Sequence, residues 1–322
     1  MRRPDVPLGT GPFRTEAAYV FGFTESELRT AVRRKQILPL RRGVLVSAAD
    51  RESAAVHNAT LHAQDIKALL LAMRRTRIAA AGTSAAQIFG LEFLHEPPPV
   101  LIVCTDDPGV SGTHKKDYFL RAAPMPPDHV VTRLGVPVTS IERTLLDLAS
   151  SMQFEGAVVL AESAYRKRLT TVDKVLATMT ASEHRPRIEN ARLALGFAGP
   201  WSGSVLESLS RVSMRTAGVL TPKQQQAVIV DDDGYLVDYL WDHLPIDVLG
   251  EADGTEKSVR ENRLETVRAI RAEKERHQKL ISTGAEVVRW GWREAKNPDL
   301  LAQVINAGFA RAIERSRGRL SG

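Results

Sequence analysis

Residues 235–254 constrain the fold more than any other stretch, because they place acids inside two apolar runs that otherwise have the composition of buried strands. The stretch reads YLVDYLWDHLPIDVLGEADG, with Asp238 in the middle of the first run and Glu251 and Asp253 at the end of the second. Acids are rare inside apolar strands, since burying an unpaired charge is costly. A cation between these acids explains the pattern best, and a divalent metal held by carboxylates is the simplest candidate.

Strand geometry turns this pattern into a predicted metal site. Side chains alternate along a strand, so Glu251 and Asp253 project to the same side, and a hairpin brings Asp238 near Glu251. We expect Asp238 and Glu251 to bind Mg²⁺ and Asp253 to support the ion or its water. Glu207, on a predicted helix upstream, would pack over the same sheet and orient the site. A metal-bound water would then attack the phosphorus atom of a phosphodiester substrate.

Each of these acids also has a purely structural interpretation. Glu207 lies three residues after a serine at a helix start, where it would complete a capping box. Asp253 precedes a glycine, which is a turn signal. Asp238 and Glu251 would then be acids at a strand edge. Gly250 also favours a catalytically silent domain, since a glycine weakens the strand that carries the acids.

The composition limits the class of protein. A chain of 322 residues is long enough for two or three domains. Its 43% hydrophobic and 25% charged residues are typical of a soluble globular protein. No run approaches the roughly 18 apolar residues of a membrane span, and the first residues lack the apolar core of a signal peptide. The single cysteine, Cys104, excludes an internal disulfide, and these features together predict a cytoplasmic protein.

Residues 13–50 have the pattern of a small winged helix-turn-helix. Thr24 and Glu27 form a capping box at the start of the helix TESELRTAVRRK, and ILPLRRGVLV predicts a hairpin. Residues 1–50 carry nine basic and five acidic side chains, a net charge of +4. In this fold the second helix enters the major groove of double-stranded DNA and the hairpin contacts the backbone, although a basic surface facing only solvent is the alternative. The candidate DNA-binding residues are Arg29, Arg33, Arg34, Lys35, Arg41 and Arg42.

The whole sequence predicts a mixed α/β protein in three parts. We expect a winged helix-turn-helix domain over 1–52, a middle α/β domain over 53–198 and a C-terminal domain over 199–322. The middle domain shows no catalytic constellation. The C-terminal pattern predicts a helix at 204–216, strands at 224–230, 235–241 and 246–252, a long charged helix at 257–282, a strand at 286–291 and a helix at 298–312.

That order of elements resembles the PD-(D/E)xK nuclease fold, and residues 201–312 are similar to its very-short-patch-repair-like branch. The matching motifs are SVLES with Glu207, VDYLW with Asp238, LGEADG with Glu251 and Asp253, and ERHQKLISTGAEVVRWGW with Arg276, Leu280, Gly284 and Arg289. The resemblance implies a restriction-endonuclease-like domain that uses Mg²⁺ to cleave DNA phosphodiesters. Asp253 stands where many relatives have lysine, and Lys257 or His277 would then take the basic role.

The N-terminal and middle regions have a resemblance of their own. ELRTAVRRKQILPLRRGVLV, AAGTSAAQIFGLEF and GVPVTSIERTLLDLA together resemble the AbiEi family of type IV antitoxins and transcriptional regulators. The resemblance implies operator DNA, a cognate toxin and a second copy of the chain as partners. Two alternatives to a nuclease stay open. One is a non-catalytic repressor or antitoxin with an inactive nuclease-like scaffold, and the other is a protein-interaction module that acts on a toxin.

Overall fold

A computed structural model describes residues 10–182, 185–230, 233–254 and 275–320 of the chain. The described residues contain helices and three β-sheets, which confirms the predicted mixed α/β class. The chain divides into two compact units. The first comprises residues 1–152 and 173–192, and the second comprises residues 153–172 and 193–322.

The first unit begins with the predicted order of helix, helix and hairpin. Thr24 starts the second helix with a complete capping box, in which its Oγ1 accepts from the Glu27 N–H at 3.2 Å and its own N–H donates to Glu27 Oε2 at 2.8 Å. One small apolar core joins these elements and contains Phe13, Ala18, Leu28, Ile37 and Leu45. The elements are β1 (Phe13–Arg14), α1 (Thr15–Val20), α2 (Glu25–Arg33), β2 (Ile37–Arg41) and β3 (Val44–Ser47), with the sheet order β1-β3-β2.

A six-stranded mixed sheet with flanking helices forms the rest of the first unit. Its strand order is β6-β7-β5-β4-β9-β8. The elements are α3 (Ala48–Ala55), α4 (Asn58–Met73), β4 (Ile78–Ala80), α5 (Gly82–Ile88), β5 (Leu101–Thr105), β6 (Thr113–His114), β7 (Tyr118–Ala122), β8 (Val130–Arg133), β9 (Val136–Thr139) and α6 (Ile141–Ala149). Helix α4 packs against both the three-stranded sheet and β4 and β9 of the larger sheet, so the predicted boundary at residue 52 falls inside one compact unit.

The second unit contains the predicted C-terminal order of elements. Its sheet order is β10-β11-β12-β13, antiparallel except for the parallel pair β12 and β13. Residues 257–274 of the predicted long helix lie outside the described residues. The elements are α7 (Phe154–Arg166), α10 (Val205–Thr216), β10 (Lys223–Val230), β11 (Asp233–Trp241), β12 (Val248–Ala252), α11 (275–282), β13 (Glu286–Trp290), α12 (Trp292–Ala295) and α13 (Pro298–Leu320); helices α8 (Val172–Thr180) and α9 (Ile188–Phe197) precede α10 in the chain.

Helix α7 belongs to the second unit, although the sequence analysis placed it in the middle domain. It packs against α10, where the fully buried carboxylate of Glu162 forms an ion pair with Arg211. The same carboxylate accepts a hydrogen bond from the Gly199 N–H at 3.1 Å. A buried charge needs such partners, and the partners of Glu162 lie beyond residue 198. The predicted boundary at 198/199 therefore lies within the second unit.

Aromatic rings pack on one face of the four-stranded sheet of the second unit. The ring centroids of Tyr239 and Trp290 lie 5.4 Å apart, and those of Trp241 and Phe309 lie 5.3 Å apart. Gly250 lies beneath these rings, and a Cβ atom there would stand 2.7 Å from Trp290 Cη2 and 2.8 Å from Trp241 Cζ3. The glycine is therefore required by the close approach of two rings. This is a packing reason for a residue that the sequence suggested only as a weak point of the strand.

None of the helices in the described part of the chain has both the length and the apolar character needed to cross a membrane.

Candidate functional site

Three of the predicted acids come from three separate elements and meet beside the central strands of the four-stranded sheet. Glu207 lies in the first turn of α10, Asp238 in β11 and Glu251 in β12. Glu207 and Glu251 are buried, with 6% and 4% of their surface exposed, and Asp238 is half-buried. We call these three residues the acidic cluster. They are close enough for the charges of Glu207 and Glu251 both to act on Asp238.

Asp238 occupies the point at which the β11–β12 ladder opens. The last Cα pair on this side joins Tyr239 to Gly250, so the next step would oppose Asp238 to Glu251. There the Asp238 Oδ2 atom accepts a hydrogen bond from the Ala252 N–H at 2.9 Å. The Asp238 side chain thus takes the place of a backbone carbonyl of β11 as the acceptor. The sequence predicted this cross-strand approach from the hairpin alone.

The environment of Asp238 disfavours its charged form. Burial is the main cause, the Glu207 carboxylate adds to it, and together with the Glu251 carboxylate they raise the pKa of Asp238 to about 7. The Ala252 N–H and, more weakly, the Arg276 guanidinium act in the opposite direction. A carboxyl group with this pKa among other acids is the electrostatic signature of a site that a cation would stabilise.

Glu251 has cationic neighbours. Arg276 of α11 approaches Glu251 Oε1 at 2.7 Å, and Arg289 of β13 approaches Oε2 at 2.5 Å. The contact at Oε1 is ionic but poorly directed, because this buried atom has no hydrogen-bond partner of good geometry within the described residues. Both arginines were singled out in the sequence, but the sequence did not indicate that they would pair with Glu251.

Glu207 takes part both in the hydrogen bonds at the start of α10 and in the acidic cluster. Its N–H donates to Ser204 Oγ at 3.2 Å, and its Oε2 accepts the Gly203 N–H at 2.7 Å. Only half of the predicted capping box is present, because the Glu207 carboxylate accepts from the N–H of Gly203 and not from that of Ser204. The same Oε2 atom also accepts from Gln225, which contacts Asp238, so the contacts near the helix start do not compete with a role in the site.

Gln225 is a site residue that the sequence analysis missed. Its Nε2 donates to Glu207 Oε2 at 2.9 Å and lies 3.4 Å from Asp238 Oδ1. Its backbone φ of +48° is in the left-handed region, which is uncommon for a residue other than glycine. Three consecutive glutamines in an apparent strand offered no signal that one of them would differ from its neighbours.

Asp253 makes no hydrogen bond with the residues of the acidic cluster. It follows the last residue of β12 and is exposed, with its backbone N–H bonded to the Trp290 carbonyl at 2.9 Å. Its carboxylate makes no hydrogen bond or ion pair with any described residue. Of the two candidate basic residues, Lys257 lies outside the described residues, and His277 is present in α11 with a buried Nδ1.

The donor set fits a cation held by two carboxylates. Magnesium in proteins is commonly bound by one or two carboxylates together with waters and substrate phosphates. Asp238 and Glu251 supply such a pair, and the Glu251 Oε1 atom lacks a well-directed partner. Within the described residues no group of three or more His, Cys, Asp or Glu side chains is arranged to enclose a metal ion. The fit is therefore to an open, partly hydrated ion.

The basic residues of the winged-helix region differ in their availability. Arg33, Arg34 and Lys35 are exposed at the end of α2, and they form no ion pair with another described residue. Arg29 pairs with Glu25 on the same helix at 2.5 Å, and both side chains are mostly exposed. The hairpin arginines also differ. Arg42 is exposed, whereas Arg41 is half-buried in a 2.5 Å ion pair with Asp117, the residue before β7, and lies over the Tyr118 ring.

Comparison with known proteins gives little beyond the geometry. No protein-family model matches the chain, and no curated protein matches it. Among solved structures, the RV2827C protein from Mycobacterium tuberculosis is similar to this chain with a TM-score of 0.39 and 12% sequence identity, over 69% of this chain and 84% of that one. A similarity at this level carries no inference about fold or function.

Proposed function

We propose that this chain is a cytoplasmic DNA-binding protein whose second unit is a Mg²⁺-dependent DNA endonuclease. The observation that carries the proposal is the meeting of Glu207, Asp238 and Glu251 from three elements, with the pKa of Asp238 raised to about 7. Carboxylates are gathered in this way where a divalent ion joins them. The resemblance to the very-short-patch-repair-like nucleases supports the same assignment, and double-stranded DNA is the substrate it implies.

Each acid has a separate task under this proposal. Asp238 and Glu251 would hold the ion, which supplies an activated water and stabilises charge on the phosphoryl oxygens. Glu207 orients Asp238 through their shared contact with Gln225. Asp253 is exposed two residues after Glu251 and would support the ion's water. Arg276 and Arg289 hold the Glu251 carboxylate in place and would stand beside a bound phosphate.

Plasmid nicking by the full chain tests the nuclease proposal. We expect Mg²⁺ to convert supercoiled DNA to nicked or linear forms, and we expect EDTA or Asp238→Asn to reduce the rate to the background level. Asp242→Asn is the matched control, because Asp242 follows the same strand but is exposed and pairs with Lys223. Absence of cleavage with both Mg²⁺ and Mn²⁺, or full activity in Asp238→Asn, would contradict the proposal.

A second candidate function rests on the ion pairs of Glu251. Two guanidinium groups already compensate this carboxylate, so the cluster has a stable arrangement without a metal. The chain would then be a non-catalytic AbiEi-like repressor or antitoxin, with a cognate toxin and a second copy of itself as partners. This function predicts that the full chain retards an operator fragment without cleaving it. It also predicts that Asp238→Asn leaves DNA affinity unchanged.

Both functions share the prediction that α2 binds DNA. We expect Arg33→Ala combined with Arg34→Ala to weaken binding and to lower the slope of log K against log salt by up to about 2, since each phosphate contact contributes about 0.9. The matched control is Arg74→Ala with Arg77→Ala, which also removes two cations of the same unit, both already paired with acids. Titration of a labelled duplex by fluorescence anisotropy measures the slopes, and equal slopes in the two variants would argue against the winged-helix assignment.

A further inference from the structure

Gln225 has a backbone conformation that its position in the chain does not explain. It lies inside β10, and the ladder with β11 keeps one register on both sides of it, joining Gln224 to Tyr239 and Gln226 to Val237. Between these pairs neither Gln225 nor Asp238 has a Cα partner in the ladder. With a φ of +48° the residue is strained relative to an ordinary strand residue. Strain of this kind persists where the surrounding structure requires it, and it concentrates at functional sites.

The strained backbone directs the Gln225 amide between two acids. Nε2 carries two N–H groups, and it lies 2.9 Å from Glu207 Oε2 and 3.4 Å from Asp238 Oδ1. The neighbouring Gly203 leaves room for this arrangement, because a Cβ there would stand 3.1 Å from Glu207 Oε1 and 3.6 Å from Gln225 Nε2. With the Ala252 N–H on its other oxygen, Asp238 has a donor facing each carboxylate oxygen. The rotamers of both acids are therefore set by neutral donors.

We propose that Gln225 is a positioning residue that holds Glu207 and Asp238 side by side in the acidic cluster. The inference rests on the proposed function, in which Asp238 is a ligand of the ion and Glu207 orients it. The amide is suited to this task because it is neutral. It bridges two acids and leaves their negative charge available to attract the cation. A lysine in its place would cancel part of that charge.

The substitution Gln225→Gly removes the side-chain amide and leaves the backbone conformation unchanged, so it tests the amide alone. Glycine adopts positive φ without steric cost, so the strand geometry is retained while the donor is lost. The matched control is Gln226→Gly, one residue further along the strand, where the amide donates to the Gln224 carbonyl at 2.7 Å and touches no acid. The first readout is Mn²⁺ binding by the full chain, which is monitored as a decrease in the EPR signal of free Mn²⁺. The ¹³C carboxyl signals of Glu207 and Asp238 in metal-free protein are the second.

We expect Gln225→Gly to weaken Mn²⁺ binding about tenfold or more, as loss of a residue that orients a metal ligand typically does, and Gln226→Gly to bind like the parent. We also expect only Gln225→Gly to shift both carboxyl signals. Parent-like Mn²⁺ affinity in Gln225→Gly would overturn the inference. If the parent protein binds no Mn²⁺, the metal site of the proposed function fails and the carboxyl signals decide. Shifts confined to Gln225→Gly support positioning, and unchanged signals refute it.

Discussion

Replacing Gly250 by alanine is expected to lower the free energy of unfolding of the second unit by about 3 kcal/mol, the upper end of what overpacking a core normally costs. The added methyl carbon would stand 2.7 Å from one buried indole ring and 2.8 Å from another. Neither ring has room to move, because Trp290 Nε1 is tied to Ser210 Oγ and Trp241 Nε1 to the Leu220 carbonyl, at 2.8 and 2.7 Å. Urea unfolding followed by tryptophan fluorescence measures the change.

Gly196→Ala is the control for that experiment. Gly196 lies in α9 with nothing within 4 Å of an added Cβ, and alanine is the better helix former. We expect this variant to be as stable as the parent or slightly more stable. Equal urea midpoints for Gly250→Ala and Gly196→Ala would show that the indole rings do not pack over β12 as described.

Asp238→Asn is expected to stabilise the metal-free protein above neutral pH. The pKa of Asp238 is raised from 3.8 to about 7 on folding, so the folded state binds the proton more tightly than the unfolded chain. The stability associated with that proton is fully present below about pH 4, is lost progressively as pH rises toward 7, and stays lost above it. Asparagine resembles the protonated form and does not titrate. The variant should therefore exceed the parent by on the order of 2–4 kcal/mol at pH 8, and by little at pH 4.

Urea midpoints measured in EDTA between pH 4 and pH 8.5 check this prediction. The parent should lose stability relative to Asp238→Asn across that range, with most of the divergence below about pH 7. Asp242→Asn again serves as the control, because Asp242 is exposed and its pKa is lowered by a hydrogen bond from Lys223. Parallel curves for the parent and Asp238→Asn would mean that Asp238 is neither as buried nor as close to the other acids as the structure shows.

Much of the second unit was predictable because local and long-range signals agree there. Apolar strands separated by turn residues gave the order of elements, and hairpin geometry placed Asp238 opposite Glu251. The capping box at Thr24 fixed the start of α2 for the same reason, since its hydrogen bonds span only three residues. Interactions between neighbours in sequence, or across one tight turn, leave a pattern that can be read directly.

The parts that were not predictable depend on partners distant in sequence. The arginines that hold Glu251 come from α11 and β13, and the carboxylate of α7 that fixes a domain boundary pairs with Arg211 of α10. Gln225 differs from the glutamines on either side of it in its backbone φ, which the hydrophobic periodicity of the sequence does not predict. Strand alternation also predicted that Asp253 projects to the same side as Glu251; β12 ends one residue earlier, at Ala252, and the Asp253 side chain is exposed.

Helix α4 sets the smallest N-terminal fragment that would keep the contacts of the three-stranded sheet. Arg14 Nε of β1 donates to the Leu71 carbonyl of α4 at 3.0 Å, and Arg41 at the end of β2 forms an ion pair with Asp117, which directly precedes β7 of the six-stranded sheet. A fragment cut after residue 52 would lose both attachments and uncover the apolar underside of its small sheet. If α2 binds DNA as proposed, moving that activity to another protein would therefore require the first unit as a whole, which is about half the chain.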